Sequence, residues 1–375
     1  MRARDLGIVI GQGTPGPLNA ITDVSGVRVG HATIVRGDGP LVVGEGPVRT
    51  GVTVVVPHDG DSWLEPLFAG SHTLNGNGEL TGLEWIRESG LLAGAIGITN
   101  THSVGVVHDA LIAHATRAHA PDAPFWSLPV VGETYDGTLN DINGFHVRPE
   151  HVAEALGSAA GGSVAEGAVG GGTGMICHEF KGGIGTASRL VPAARGGWTV
   201  GVLVQANYGR RGLLRVDGVP VGREIPTTDV PSPYPAPAPR QAGAGSIIVI
   251  VATDAPLLPH QCSRLAQRAG LGLARVGGYG MPSSGDLFLA FATGNRGLPP
   301  AELDAGGPLV VDVRTVVDPA LDGLFEATVE ATEEAIINAL LGAATMVGRD
   351  GITAHALPHD RLVEVMARYG RVAPA

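Results

Sequence analysis

The sequence predicts a layered sandwich, with β-sheets covered by α-helices, and three observations carry that prediction. Strand-like and helical segments are interspersed along the chain rather than segregated. Two strand-like runs, Trp198-Thr-Val-Gly-Val-Leu-Val-Gln-Ala206 and Asp286-Leu-Phe-Leu-Ala-Phe-Ala-Thr293, are apolar at consecutive positions, the mark of strands covered on both faces. Apolar residues make up 44% of the chain but aromatics only 4%, and the 58 glycines follow no period. Such a core is built from Ala, Val, Ile and Leu, with glycine serving tight turns and close sheet packing.

Taken in order, strands are predicted over 51–57 and 92–99, where β-branched and aliphatic residues run together. A helix follows over 103–120, with Ser103 as its cap and Val107, Leu111 and Ala115 on one stripe. A strand is expected over 125–131, then a helix over 149–160 with Pro149 in its first turn. Strands over 198–206 and 246–252 come next, then a helix over 256–274 whose start Pro259 limits. The last strands are placed at 286–293 and 309–313. The strongest helix prediction is 321–347, rich in Ala, Glu and Leu with Gly348 near its end, and a final helix covers 359–369. No internal repeat is present. The one linker-like stretch, 226–244, precedes a run central to the core, so the chain reads as a single domain, 1–375, with an exposed internal loop.

Composition excludes several classes. A net charge of −11 without any basic run disfavours nucleic acid, whose phosphates need clustered Lys and Arg. Two cysteines, Cys177 and Cys262, make no disulfide framework. The apolar runs fall short of the ~18–20 residues of a membrane span, so a soluble, cytoplasmic protein is expected. The glycines of Val169-Gly-Gly-Gly-Thr-Gly174 lack the lysine and Ser/Thr of a P-loop, and His58-Asp-Gly-Asp61 has no accompanying ligand motif. Neither cofactor nor metal is expected.

The chemistry concentrates at Gly245-Ser246. A proline-rich stretch leads into small residues, and Ser246 then opens the run Ser246-Ile-Ile-Val-Ile-Val251. A serine between a loosely held Gly245 and a rigid strand suits self-cleavage, its hydroxyl attacking the preceding carbonyl. The product would carry a hydroxyl nucleophile and a free α-amine base on one residue. With an unperturbed pKa of about 7.7–8.0, that amine suits proton abstraction near neutral pH. The same pattern is also an ordinary turn before a strand. Ser284 and Asp286, two residues apart in a Gly-flanked turn entering a strand, share a face and can form a relay, or a local Ser/Asx turn. Glu133 and Tyr135 share a face by the same rule, one able to hold an ammonium and the other to donate to an oxyanion. Asn207, just past a strand, offers an amide for an oxyanion hole. Each of these, taken singly, is also a plausible turn or cap.

A series of short motifs runs the length of the chain: Arg4-Asp-Leu-Gly-Ile8, Ile21-Thr-Asp-Val-Ser-Gly-Val-Arg-Val-Gly-His31, Leu74-Asn-Gly-Asn-Gly-Glu79, Ile98-Thr-Asn-Thr-His102 and Gly132-Glu-Thr-Tyr-Asp136. It continues through Gly172-Thr-Gly-Met175, Phe180-Lys-Gly-Gly-Ile-Gly-Thr-Ala-Ser-Arg189, Gln205-Ala-Asn-Tyr-Gly209, Gly245-Ser246 and Ser283-Ser-Gly-Asp286. In this order the chain resembles the DmpA/BapA group of self-processing N-terminal-nucleophile aminopeptidases, the L-aminopeptidase/D-amidase-esterases and β-peptidyl aminopeptidases. The resemblance implies an α+β, four-layer αββα sandwich (the DOM fold, similar to Ntn hydrolases but wired differently) and a cut before Ser246. It implies Ser246 as nucleophile, Ser284 and Asp286 as its orienting relay, and Asn207 with Tyr135 at the oxyanion. Glu133 would hold the substrate's amino terminus, and cleaved pairs would assemble as tetramers. The substrates implied are short peptides, amides or esters, with the choice among α-, β- and D-residues left open. Two alternatives remain at this point: an acyltransferase of the ornithine acetyltransferase type, which usually carries Thr at the nucleophile, and an unprocessed small-molecule binding protein on the same scaffold.

Overall fold

The computed structural model describes residues 1–119, 125–234, 245–300 and 308–372. Its main strands are Arg28–Arg36 (β1), Val48–Val56 (β2), Leu67–Gly76 (β3), Leu91–Leu92 (β4), Ile96–Asn100 (β5) and Val130–Thr134 (β6). They continue with Ile176–Cys177 (β7), Phe180–Lys181 (β8), Gly183–Leu190 (β9), Thr199–Asn207 (β10), Ser246–Thr253 (β11) and Gly285–Ala292 (β12). Helices form at Leu83–Ser89 (α1), Val104–Thr116 (α2), Pro149–Gly157 (α3), Val221–Glu224 (α4), Pro259–Val276 (α5), Leu321–Leu341 (α6) and His359–Arg368 (α7).

A four-stranded sheet, β1-β2-β5-β6, faces a six-stranded sheet, β4-β3-β12-β11-β10-β9. Helices α2 and α3 pack on the outer face of the first, and α5 and α6 on the outer face of the second. The αββα sandwich is therefore realised. Strand β11 shows why its sequence is apolar at every position. Ile247, Val249 and Val251 pack with the α5 and α6 layer, while Ile248, Ile250 and Ala252 pack into the layer between the sheets. All eight of its residues are buried.

Several boundaries differ from the sequence reading for identifiable reasons. The 92–99 run splits, because Leu92 ends β4 in one sheet and the residues from Ile96 onward form β5 in the other. The 125–131 strand begins only at Val130, after Pro129, which has no N–H for a ladder. The 309–313 run forms no strand: Leu309 and Val310 are 91% and 84% exposed, and no strand among the described residues pairs with them. Ser103 makes no side-chain cap. Asn100 does so one turn earlier, accepting from His102 N–H at 3.0 Å. Helix α6 stops at Leu341, before Gly342 rather than near Gly348. Strand β9 escaped the pattern because its glycines serve packing: a Cβ on Gly185 would lie 1.9 Å from the Ala335 carbonyl oxygen of α6. Most of the proline-rich stretch, with residues 235–244, lies outside the described residues.

Candidate active site

The first residue of β11 is Ser246, and sheet register fixes its neighbours. It lies opposite Asn207, the last residue of β10, across an antiparallel pair, while β12 runs parallel on its other side with Ile247 level with Asp286. The Ser246 hydroxyl oxygen accepts from the Gly285 N–H at 3.0 Å. Gly285 is the residue between Ser284 and Asp286, and the Ser284 hydroxyl donates to Asp286 Oδ1 at 2.6 Å. The Ser284 and Asp286 side chains are thus hydrogen-bonded to each other, with Gly285 between them on the Ser246 hydroxyl. Burial pushes the Asp286 carboxyl up to about 6, opposed by hydrogen bonds from the Ser284 hydroxyl and the Ile247 amide.

Gly245 is buried rather than loosely held, and it has to be glycine. A Cβ there would fall 1.7 Å from the Asn207 carbonyl oxygen. The Asn207 side chain is anchored at both ends: Oδ1 accepts from the Ile176 N–H at 2.8 Å and Nδ2 donates to the Tyr135 carbonyl at 2.9 Å. These partners fix the orientation of the amide and leave one Nδ2 hydrogen for another acceptor.

Glu133 is buried at the end of β6. It accepts from the Thr101 hydroxyl and from the Glu79 N–H, the latter at 3.0 Å. Burial raises its carboxyl above the ordinary value, against those two hydrogen bonds. Gly78 bridges it to the start of β12, beside Ser246: a Cβ on Gly78 would lie 3.1 Å from Glu133 Oε1 and 3.0 Å from Gly285 Cα. Tyr135 departs from the expected pairing with Glu133. It lies one residue past β6 and is 49% exposed, with its hydroxyl against Gly137. Its backbone, not its phenol, meets Asn207.

Sequence reasoning assigned no role to Asn75 or Asn77. They hold the loop before Ser284, Asn75 Nδ2 donating to the Met281 carbonyl and Asn77 Nδ2 to the Ser283 carbonyl, the latter at 2.8 Å. The Asn-Gly-Asn-Gly run was the available signal, since amides alternating with glycines suit a strand end whose side chains serve backbone groups. Thr101 was visible only as part of a motif.

The chain as a whole is similar to known proteins. The family model for peptidase family S58 matches residues 19–354. The chain belongs to peptidase family S58. It is 50% identical to the beta-peptidyl aminopeptidase BapA of Sphingosinicella microcystinivorans, an alignment spanning 100% of this chain and 94% of the relative. A beta-aminopeptidase from Burkholderia sp. shares its structure with a TM-score of 0.91 and 55% identity, each chain covered in full. The L-aminopeptidase D-Ala-esterase/amidase of Ochrobactrum anthropi matches with a TM-score of 0.88 and 44% identity over 99% of both chains. That enzyme is described as a prototype for the serine aminopeptidases and a new variant among the Ntn hydrolase fold. This S58 chain is accordingly a hydrolase of the serine aminopeptidase type. The acyltransferase and binding-protein alternatives fall away.

Proposed function

We propose that the chain, as one catalytic domain, cuts itself between Gly245 and Ser246 and then releases N-terminal residues from short peptides, amides or esters through an ester on Ser246. In this scheme the Ser246 oxygen adds to the substrate carbonyl while the Ser246 α-amine takes the hydroxyl proton. The tetrahedral oxyanion accepts from Asn207 Nδ2, with Tyr135 beside it. As the bond to the leaving group breaks, that group takes the proton from the amine. Water then hydrolyses the ester with the amine as base again. The Ser284–Asp286 pair orients the amine, and the Glu133 carboxylate holds the substrate's ammonium.

The observation that carries this reading is the register setting Ser246 between Asn207 and Gly285, with Glu133 reached across Gly78. An open groove beside Gly78 and Glu79, lined by Leu80, Leu83, Leu128 and Leu287, supports short substrates with an apolar first residue. The 50% identity to a beta-peptidyl aminopeptidase supports a β-amino acid at that position. A cytoplasmic homotetramer of cleaved pairs belongs to the same reading and is checked by sedimentation. Ser246→Ala is expected to remain one 38.1 kDa chain and to turn over neither a β- nor an α-aminoacyl amide. A cleaved or active Ser246→Ala protein would remove Ser246 from the mechanism.

A further inference from the structure

Lys181 is the only lysine in the chain, the other 24 of its 25 basic residues being arginine, and it is completely buried. A buried cation ordinarily needs a carboxylate partner. Among the described residues, Lys181 has none at salt-bridge distance. Its Nζ donates instead to three backbone carbonyls, those of Met175 and Gly182 at 2.8 Å and of Gly172 at 3.3 Å. Three acceptors converge on a group with three donors. An arginine fork does not match that arrangement.

The Met175 carbonyl belongs to the same peptide unit as the Ile176 N–H, and that N–H donates to Asn207 Oδ1 at 2.8 Å. A chain of polar groups therefore runs from the ammonium, through one peptide, to the Asn207 carboxamide. We propose that Lys181 is a positioning residue of the oxyanion site, polarising the Met175–Ile176 peptide and through it the Asn207 amide that faces the developing oxyanion. A cation on the carbonyl end makes the peptide N–H a stronger donor, and this in turn makes the Asn207 Nδ2 hydrogens stronger donors. Fixed dipoles aimed at developing charge are the most effective electrostatic aid a water-poor site offers.

The local fold holds this arrangement rigidly. Lys181 pairs with Ile176 across the β7–β8 hairpin, whose turn residues His178 and Glu179 have φ of 49° and 64°. Arg211 clamps that left-handed turn, donating to the His178 and Glu179 carbonyls at 3.2 and 2.9 Å. The titratable groups facing the ammonium are Asp136, after β6, and Cys177 on β7. Burial pulls Lys181 down to about 7, opposed by both of these groups. The charge is complete below that pH and is lost as pH rises through it.

The proposal rests on the reading of Asn207 as oxyanion donor, and the test separates the two. Lys181→Met and Lys181→Gln, each verified as folded and self-cleaved, are expected to lower kcat about tenfold, less than the 10²–10³ of a lost direct donor, with KM within about twofold. Affinity for a substrate-like peptide aldehyde, whose serine adduct carries the oxyanion, should fall in parallel with kcat. Affinity for the amine product should not change. Asn207→Ala gives the reference: retained aldehyde affinity there overturns the Asn207 reading itself. Loss in Asn207→Ala with none in the Lys181 variants overturns only the relay. If the Lys181 variants do not fold, the parent protein decides. With lysine as the sole 13Cε-labelled residue it gives one resonance, whose titration should move to higher pH when the aldehyde binds. A titration indifferent to the aldehyde overturns the proposal.

Discussion

Ser246 owes its setting to a glycine that tolerates no replacement. Because a Cβ at 245 would sit 1.7 Å from the Asn207 carbonyl oxygen, Gly245→Ala must push apart the two strands that form the centre. Overpacking of this kind costs about 1–3 kcal/mol. The variant is expected to melt several degrees lower and to accumulate as uncut chain on denaturing gels. Glu133 sets a different expectation. Its carboxyl is raised by burial, so it loses its charge as pH falls through a value above the ordinary glutamate range. KM for a free-amine substrate should therefore rise on the acid side earlier than an exposed glutamate would dictate. Glu133→Gln should raise that KM where the glutamate is charged, converge with the parent on the acid side, and leave N-capped esters nearly unaffected. Equal losses on both substrates would remove Glu133 from amine recognition.

Among the elements, α6 is the strongest helix prediction, and its unexpected property is buried charge. It carries Glu330, Glu333 and Glu334, yet all three are buried. Arg189 on β9, itself 1% exposed, reaches Glu330 at 3.0 Å and Glu334 at 2.7 Å, and Arg4 reaches Glu334 at 3.0 Å. The N-terminal segment completes the cover, with Gln12 and Gly13 N–H groups donating to Glu330. Arg189→Met would leave buried carboxylates short of a cation, and breaking such a network costs about 3–5 kcal/mol. Urea unfolding should show that loss. A change below ~1 kcal/mol would mean the carboxylates find water instead. Nothing local in this segment marks these glutamates as buried. The cations and amides on Glu330 and Glu334 come from residues more than a hundred positions away, which no local pattern contains.

For the whole molecule, β11 lies between β10 from the first part of the chain and β12 from the second. A cut before Ser246 would therefore leave the pieces interlocked in one sheet. Intact mass under denaturing conditions should give pieces of roughly 25 and 13 kDa in place of 38.1 kDa, with Ser246 as the new N-terminus. The same sample should run as one species under native conditions. A single persistent 38.1 kDa mass would overturn self-cleavage.

Legible in the amino-acid order alone were the alternation of strands and helices, the doubly covered β10 and β12, and the shared face of Ser284 and Asp286. Each of these depends on spacing within a few residues, where strand alternation fixes which side chains meet. The ordered motifs also placed Ser246, Asn207 and Glu133 in one group. How they meet follows from tertiary register: Asn207 across from Ser246, Gly78 wedged between Glu133 and Gly285, and the Tyr135 carbonyl on the Asn207 amide. Tertiary packing also leaves the 309–313 run largely exposed and brings the Lys181 ammonium and the Asn207 amide to the two ends of one peptide unit. The physical reason is common to all of these. Register between distant strands and the burial of a charge depend on which segments become neighbours in space, and that information is spread over the whole chain.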